Sequence, residues 1–263
     1  MTTLREFRQY GEELESRLRL KSFPLAFKML RKEADIPKGA KRPKKDWGFH
    51  LSACQGFQMS RRDGTVLVQL KEDMWCPEAP IGYGFGEPPE YFMQGYNRYP
   101  QDVPTLEAGK NYAEEYPRLP ANKYIGVATA PLRATPFQPD LVVIYCDSPQ
   151  LNLLLLAKEC KDGRNLNCDL CSHAACVYGT VPALLSGNYQ VAVPCRGDRY
   201  AAMALDDELI FTVPRAKLED LMEGLRYVEK TGSKMPRAFR MAPEYPLRDS
   251  YKRVAKEMGM GVK

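Results

Sequence analysis

The sequence predicts an α+β fold: a mixed, largely antiparallel sheet or sheets flanked by helices, in a single compact domain spanning 1–263. Three observations carry this expectation. The periodic segments set neighbouring strands among interspersed helices, where a doubly wound fold would alternate the two regularly. No glycine-rich phosphate fingerprint joins a strand to a helix, since GYGFGE (82–87) interleaves glycine with aromatics outside that context. The 263 residues, 44% hydrophobic, suffice to bury one large core, as one domain or two closely docked halves.

The elements follow in order. Leu4, Phe7, Leu14 and Leu18 recur at near-helical spacing among charges and predict an amphipathic helix over 4–20. FPLAFKML (23–30) reads as a short buried strand, and PKGAKRPKKDW (37–47) as a basic loop. Residues 47–61 have helical character and hold Cys54; TVLVQL (65–70), after Asp63 and Gly64, is a strand with β-branched residues. The stretch 72–100 is dense in glycine, proline and aromatics, which break any long element and suit a lid or lining.

KYIGVATAPL (123–132) and DLVVIYC (140–146) are strong strands. SPQLNLLLLAKEC (148–160) begins with a capping serine and an early proline, as a buried helix does, and 172–187 reads as a second helix capped by Ser172 and ended by Gly187. YQVAVP, RYAAMAL and ELIFTVP read as three strands, the last two joined in a hairpin at Asp206 and Asp207. An amphipathic helix over 214–232 precedes a basic tail over 240–263.

Net charge is +5, from 38 basic and 33 acidic residues, a balance too even to argue for nucleic acid. The first 21 residues carry charges throughout and lack the apolar core of a signal peptide, and no stretch approaches the ~20 apolar residues of a membrane span. A cytoplasmic protein, without membrane or nucleic-acid partners, is the expectation. Eight cysteines in a reducing compartment then point to free thiols, thiolate ligands or a redox pair rather than structural disulfides.

CDLCSHAACVYGT (168–180) places Cys168, Cys171 and Cys176 beside His173, a spacing that thiolate clusters use, although no second CxxC completes a zinc knuckle. A dispersed set has stronger local context. Cys54 lies in ACQGF, Cys76 precedes a proline as the last cysteine of a ferredoxin run does, Cys176 lies in AACVYG, and Cys195 follows a proline and enters a glycine turn. Cys146 and Cys160, ending an apolar strand and an apolar helix, read as small buried hydrophobes. His50 and His173 read as surface or cap residues.

The elements FPLAFKM, CQGFQMSRR, CPEAPIGYGFG, LVVIYCDSPQ, AACVYG and VPCRGDRYAAMALDDELIFTVP resemble the family called domain of unknown function 169, from about Leu20 to about Thr231. The resemblance implies cytoplasmic proteins, common in anaerobic bacteria and archaea, with recurrent cysteines and no settled activity. It matches the family cysteines to Cys54, Cys76, Cys176 and Cys195, and the family arginine of the last turn to Arg199. Cys168 and Cys171 fall where relatives often have small polar residues.

Soft thiolates without partner histidines favour iron–sulfur over zinc, and a 4Fe-4S cluster held by Cys54, Cys76, Cys176 and Cys195 is the simplest centre. Four ligands saturate its irons and suit electron transfer, whereas three leave one iron open as a Lewis acid toward a small-molecule substrate. Glu78, two residues past Cys76, is the expected general acid or base, with Arg199 or Arg196 on an anionic substrate group. The basic loop (Lys38, Lys41, Arg42, Lys44, Lys45) suits an acidic redox partner. Two alternatives stand beside this: a zinc or soft-metal or small-ligand binding module centred on Cys168, Cys171 and Cys176, and a thiol enzyme with Cys76 as nucleophile. Oligomeric state and substrate do not follow from these residues.

Overall fold

The structure, a computed structural model, describes residues 2–232 and 247–260. Helix α1 (Leu4–Leu18) opens on a capping box, Thr3 and Glu6 each satisfying the other's backbone N–H, and buries Phe7, Leu14 and Leu18 as their spacing predicts. Strand β1 (Leu25–Leu30) and helix α2 (Ala53–Arg62) follow, then β2 (Leu67–Leu70), two short helices α3 (Glu78–Gly82) and α4 (Glu90–Met93), and α5 (Leu106–Glu115). Next come β3 (Gly126–Pro131), β4 (Leu141–Cys146), α6 (Ser148–Asp162), α7 (Ala175–Tyr178), α8 (Val181–Ser186), β5 (Gln190–Ala192) and α9 (Arg196–Ala202). β6 (Leu209–Pro214), α10 (Leu218–Lys230) and α11 (Asp249–Glu257) complete the described elements. Part of the basic tail, 240–246 and 261–263, lies outside the described residues.

The six strands form one sheet in the order β2-β3-β1-β4-β6-β5, and every neighbouring pair is antiparallel. The α+β expectation holds, in its all-antiparallel form. Successive side chains of a strand point to opposite faces, and the sheet sorts two cores accordingly. Leu25, Phe27 and Met29 of β1 and Leu141, Val143 and Tyr145 of β4 join one core; Ala26, Leu30, Val142, Ile144 and Cys146 join the other. The second core is roofed by α1, α6 and α10. The first is covered by α2, α3, α7 and α9, and it holds Cys54, Cys176 and Cys195.

Two expectations are corrected. RYAAMAL is not a strand: Cys195 caps a helical turn there, Met203 ends it with a left-handed backbone (φ 53°), and Asp206 and Asp207 lead into β6 without a hairpin. The helix expected over 172–187 is two short helices separated at Gly179 and Thr180; the first starts only after Ala174, which takes a left-handed conformation (φ 47°), and Ser172 caps nothing. Over 72–100, Tyr83, Phe85 and Phe92 are buried in the first core, while Trp75 and Tyr91 are exposed. Among the described residues, no helix is long and apolar enough to cross a membrane.

α6 and α10 cross at backbone contact because position 224 carries no side chain: a Cβ there would lie 2.1 Å from the Ala157 carbonyl oxygen. Gly224→Ala should therefore destabilise the fold by about 2–3 kcal/mol, lowering the melting temperature by on the order of 5–10 °C. Gly163→Ala, at φ 65° with nothing within 4 Å, should cost only about 1 kcal/mol. Equal melting temperatures for the two variants would contradict this packing.

Candidate functional site

Four separate segments bring their cysteines to the sheet's first face. Cys54 is the second residue of α2, behind a capping box in which the Ser52 hydroxyl accepts from the Gln55 N–H at 3.2 Å. Cys76 precedes α3, and the Glu78 N–H donates to its sulfur. Cys176 sits in α7, its carbonyl accepting from the Tyr83 hydroxyl at 3.1 Å and the Thr180 hydroxyl at 2.6 Å. Cys195 caps α9, its sulfur accepting from the Asp198 N–H at 3.4 Å. Cys54, Cys176 and Cys195 are buried and Cys76 is half-buried.

The thiols form one interacting group. Cys54 lies within interaction range of Cys176 and Cys195, and Cys76 lies within electrostatic reach of Cys176 and Cys195. Their proton affinities diverge. Cys195 falls to about 5, first through the Cys54 thiol that donates to it and then through the N–H groups of Ala175, Asp198 and Gly197, against the cost of burial. The left-handed Ala174, strained by about 1–2 kcal/mol for a residue with a Cβ, immediately precedes the Ala175 N–H. Cys54 is pushed well up by those same thiol contacts and by burial. Cys76 is pushed up to about 12, by burial first and by Cys176 next. The surroundings therefore favour the thiolate at Cys195 over Cys76.

A buried polar network stands behind Cys195. Asp198, 1% exposed, bonds the Tyr145 hydroxyl at 3.0 Å, and burial followed by the neighbouring Cys195 charge raises its carboxyl to about 7. The Arg61 guanidinium lies 3.8 Å from the Tyr145 ring centroid and grips Glu208 with two bonds of 2.7 and 2.9 Å. No local pattern marks these four residues, because they are joined only by the fold.

A second flank lies around Glu78. Its carbonyl accepts from the Tyr116 hydroxyl at 2.9 Å and its carboxylate from the Tyr112 hydroxyl at 3.3 Å; burial raises its proton affinity. Arg98, 8% exposed, stacks 4.3 Å from the Tyr112 ring centroid. Among the described residues, Nη1 of Arg98 has no hydrogen-bond partner, and the Asn97 amide lies within interaction range of the Glu78 carboxylate. Arg98 and Asn97 are additions to the sequence reading, and their position in the aromatic stretch is the signal that could have found them.

The remaining expectations separate clearly. Arg199 is half-buried, its guanidinium bonding the Leu205 carbonyl at 2.8 Å and approaching Asp206 at 3.5 Å. Arg196 lies over the Tyr200 ring at 5.4 Å. Cys168 accepts from the Val191 N–H at 3.2 Å, and Cys171 contacts the Tyr178 hydroxyl, so neither is among the interacting four. Cys146 points to the other face of the sheet; Cys160 is exposed, not buried as its apolar helix suggested. His173 faces Asp102 at 3.2 Å, and His50 is exposed. Among the described residues, no group of three or more His, Cys, Asp or Glu side chains is arranged as a preformed metal site.

Comparison with known proteins places the chain alongside others without assigned activity. The profile of domain of unknown function 169, described as an uncharacterised ArCR family, matches residues 13–224. An uncharacterized protein of Methanocaldococcus jannaschii, MJ0308, is 23% identical over 226 residues, covering 84% of this chain and 94% of that protein. No solved structure matches.

The charge arrangement predicts an unusual pH profile for the metal-free chain. Cys195, depressed to about 5, adds stability in full above its ordinary value of about 8.5 and loses it as pH falls through about 5. Asp198, raised to about 7, acts oppositely: its contribution is full below its ordinary value of about 3.9 and is lost as pH rises through about 7. The two slopes offset between about 5 and 7, and stability should climb from about 7 to 8.5. Denaturant titration of Cys195→Ser should lose that climb, and Asp198→Asn should extend it down toward pH 5. An unchanged profile in Cys195→Ser would contradict the assigned thiolate.

Proposed function

The chain belongs to the family called domain of unknown function 169, which brings no activity with it, and from the geometry we propose that it binds a 4Fe-4S cluster through Cys54, Cys76, Cys176 and Cys195. The observation that carries this reading is the convergence of four thiols from distant segments on one face of the sheet. The donor set suits the group. All four donors are soft, no histidine is among them, and the N–H groups of Ala175, Gly197 and Asp198 already stabilise negative charge on sulfur. The buried thiolate and the neighbouring Asp198 carboxyl make a pocket in which a cationic centre relieves like-charge repulsion.

When bound, such a cluster supplies one-electron transfer or, with one iron left open, Lewis-acid activation of a small molecule. Cys54, Cys176 and Cys195 are buried and Cys76 is half-buried, so Cys76 is the ligand whose loss would open an iron. Glu78, its N–H on the Cys76 sulfur and its carboxylate on Tyr112, is placed to hold a proton beside that position. Lys38, Lys41, Lys44 and Lys45 are exposed while Arg42 is engaged by Glu72 and Asp73; the four lysines provide a docking face for an acidic redox partner.

One observation favours a second reading. The proximity of Cys54 to Cys176 and Cys195 also suits a single thiolate-bound ion such as zinc. The alternatives centred on Cys168 and Cys171, or on nucleophilic Cys76, have less support. The first pair is engaged elsewhere, and the Cys76 thiol holds its proton.

Purification under nitrogen with iron, zinc and sulfide analysis separates the readings. The cluster reading predicts a brown protein with matching iron and sulfide, bleached in Cys195→Ala and Cys54→Ala and retained in Cys160→Ala. A colourless protein with one zinc lost in the same variants supports the second reading. Metal content unaffected by these substitutions would overturn both.

A further inference from the structure

The chain has only two tryptophans, Trp47 and Trp75, and hydrogen bonds lace their segments together. The Leu51 N–H donates to the Asp73 carbonyl at 3.0 Å and the Trp75 N–H to the Leu51 carbonyl at 3.3 Å, so residues 47–51 run beside 73–75. Phe49 and Trp75 are 48% and 54% exposed, which is unusual for rings of that size, and Phe49 stacks on Trp47 with 5.7 Å between centroids. The exposed indole is fixed. Its N–H donates to Gln55 Oε1 at 2.8 Å, the same oxygen that accepts from the Ser52 N–H in the cap of α2. Trp75 is thereby tied to the end of α2 that carries Cys54, and Cys76 is the next residue in the chain.

The charge beside these rings is mostly of one sign. Residues 37–50 carry five cations and one acid. Arg42 engages the three carboxylates of the two segments: its backbone N–H donates to Asp46 at 2.6 Å, and its guanidinium donates to Glu72 at 2.7 Å and to buried Asp73 at 2.9 Å. Asp73 also accepts from the Lys44 N–H at 3.3 Å, which clamps the basic loop onto the segment that carries Trp75. Lys38, Lys41, Lys44 and Lys45 are left exposed. Exposed aromatic rings within a cationic rim have the anatomy of a protein-docking surface, the rings supplying the anchors and the lysines the steering. Phe49, with one ring face spent on Trp47, suits burial under a protein side chain better than a run of stacked bases. We propose that Phe49 and Trp75, rimmed by these lysines, form the surface on which an acidic electron-carrier protein docks next to Cys76. The proposal rests on the cluster reading and gives its partner a place and a chemistry. One electron leaves the reduced carrier, which is thereby oxidised, and the chain's centre gains that electron; no bond or proton is exchanged.

Intrinsic fluorescence tests it, because both tryptophans of the chain belong to these two segments. The full chain, as purified under nitrogen and after metal removal, is titrated with a tryptophan-free acidic ferredoxin or with a single-stranded DNA oligonucleotide. The ferredoxin should quench the emission saturably, with an affinity that weakens several-fold between about 50 and 300 mM salt. Lys44→Glu with Lys45→Glu should raise the half-saturating concentration about tenfold and Phe49→Ala several-fold. Lys252→Glu with Lys256→Glu, an equal charge change on exposed positions of α11, should leave it within about twofold, because steering acts locally. No saturable quenching, an equal loss in the α11 double variant, insensitivity to Lys44→Glu with Lys45→Glu, or tighter binding of the oligonucleotide than of the ferredoxin would overturn the proposal. Iron and sulfide analysis of the same preparation reads the cluster separately. Docking by a chain that carries no cluster as purified would refute the cluster reading alone, and a cluster-bearing chain that does not dock would refute this surface alone.

Discussion

A fully buried ion pair holds the thiol site together. Arg61, at the end of α2, and Glu208, just before β6, are 1% and 2% exposed and share two hydrogen bonds across 147 residues of sequence. Desolvating both charges is costly, so the pair adds little net stability, but removing one partner would strand the other at about 3–5 kcal/mol. Its value lies in position. It fixes α2, which carries Cys54, against the turn that follows α9, which carries Cys195, and it seats the Arg61 guanidinium on the ring whose hydroxyl holds Asp198.

From that frame the proton distribution follows. A thiol that donates to its neighbour keeps its own proton and lowers the neighbour's affinity for one, so Cys54 rises and Cys195 falls. Asp198 cannot ionise freely beside the resulting negative sulfur, and Cys76, farther out, is raised by burial and by the same negative field. Negative charge in this group is thus favoured on Cys195 over Cys54 and Cys76. A bound inorganic cation inverts this logic, allowing every thiol to ionise at once.

Much of this was legible in the chain. Proline beside Cys76 and proline and glycine around Cys195 marked backbone bends at two of the four thiols, and alternation in β1 and β4 marked the two faces. The misreadings share a cause: short segments whose conformation is set by contacts outside them. RYAAMAL is a short apolar run that can pass for a strand, yet the Cys195 cap decides for helix, and the helix expected over 172–187 starts only after the left-handed Ala174, whose neighbour's N–H serves Cys195. Arg199, in the most specific family turn, is half-buried and bonds the Leu205 carbonyl. Arg61, Tyr145, Asp198 and Glu208 were invisible because no periodicity connects residues paired only through tertiary packing.

X-ray absorption at the metal edge of the anaerobically purified chain tests the central claim most directly. The account predicts iron surrounded by sulfur alone, with a short iron–iron shell, and replacement of one sulfur by a lighter scatterer in Cys76→Ser. An edge dominated by nitrogen or oxygen neighbours, or a chain that carries no metal while all four thiols remain reduced, would contradict it.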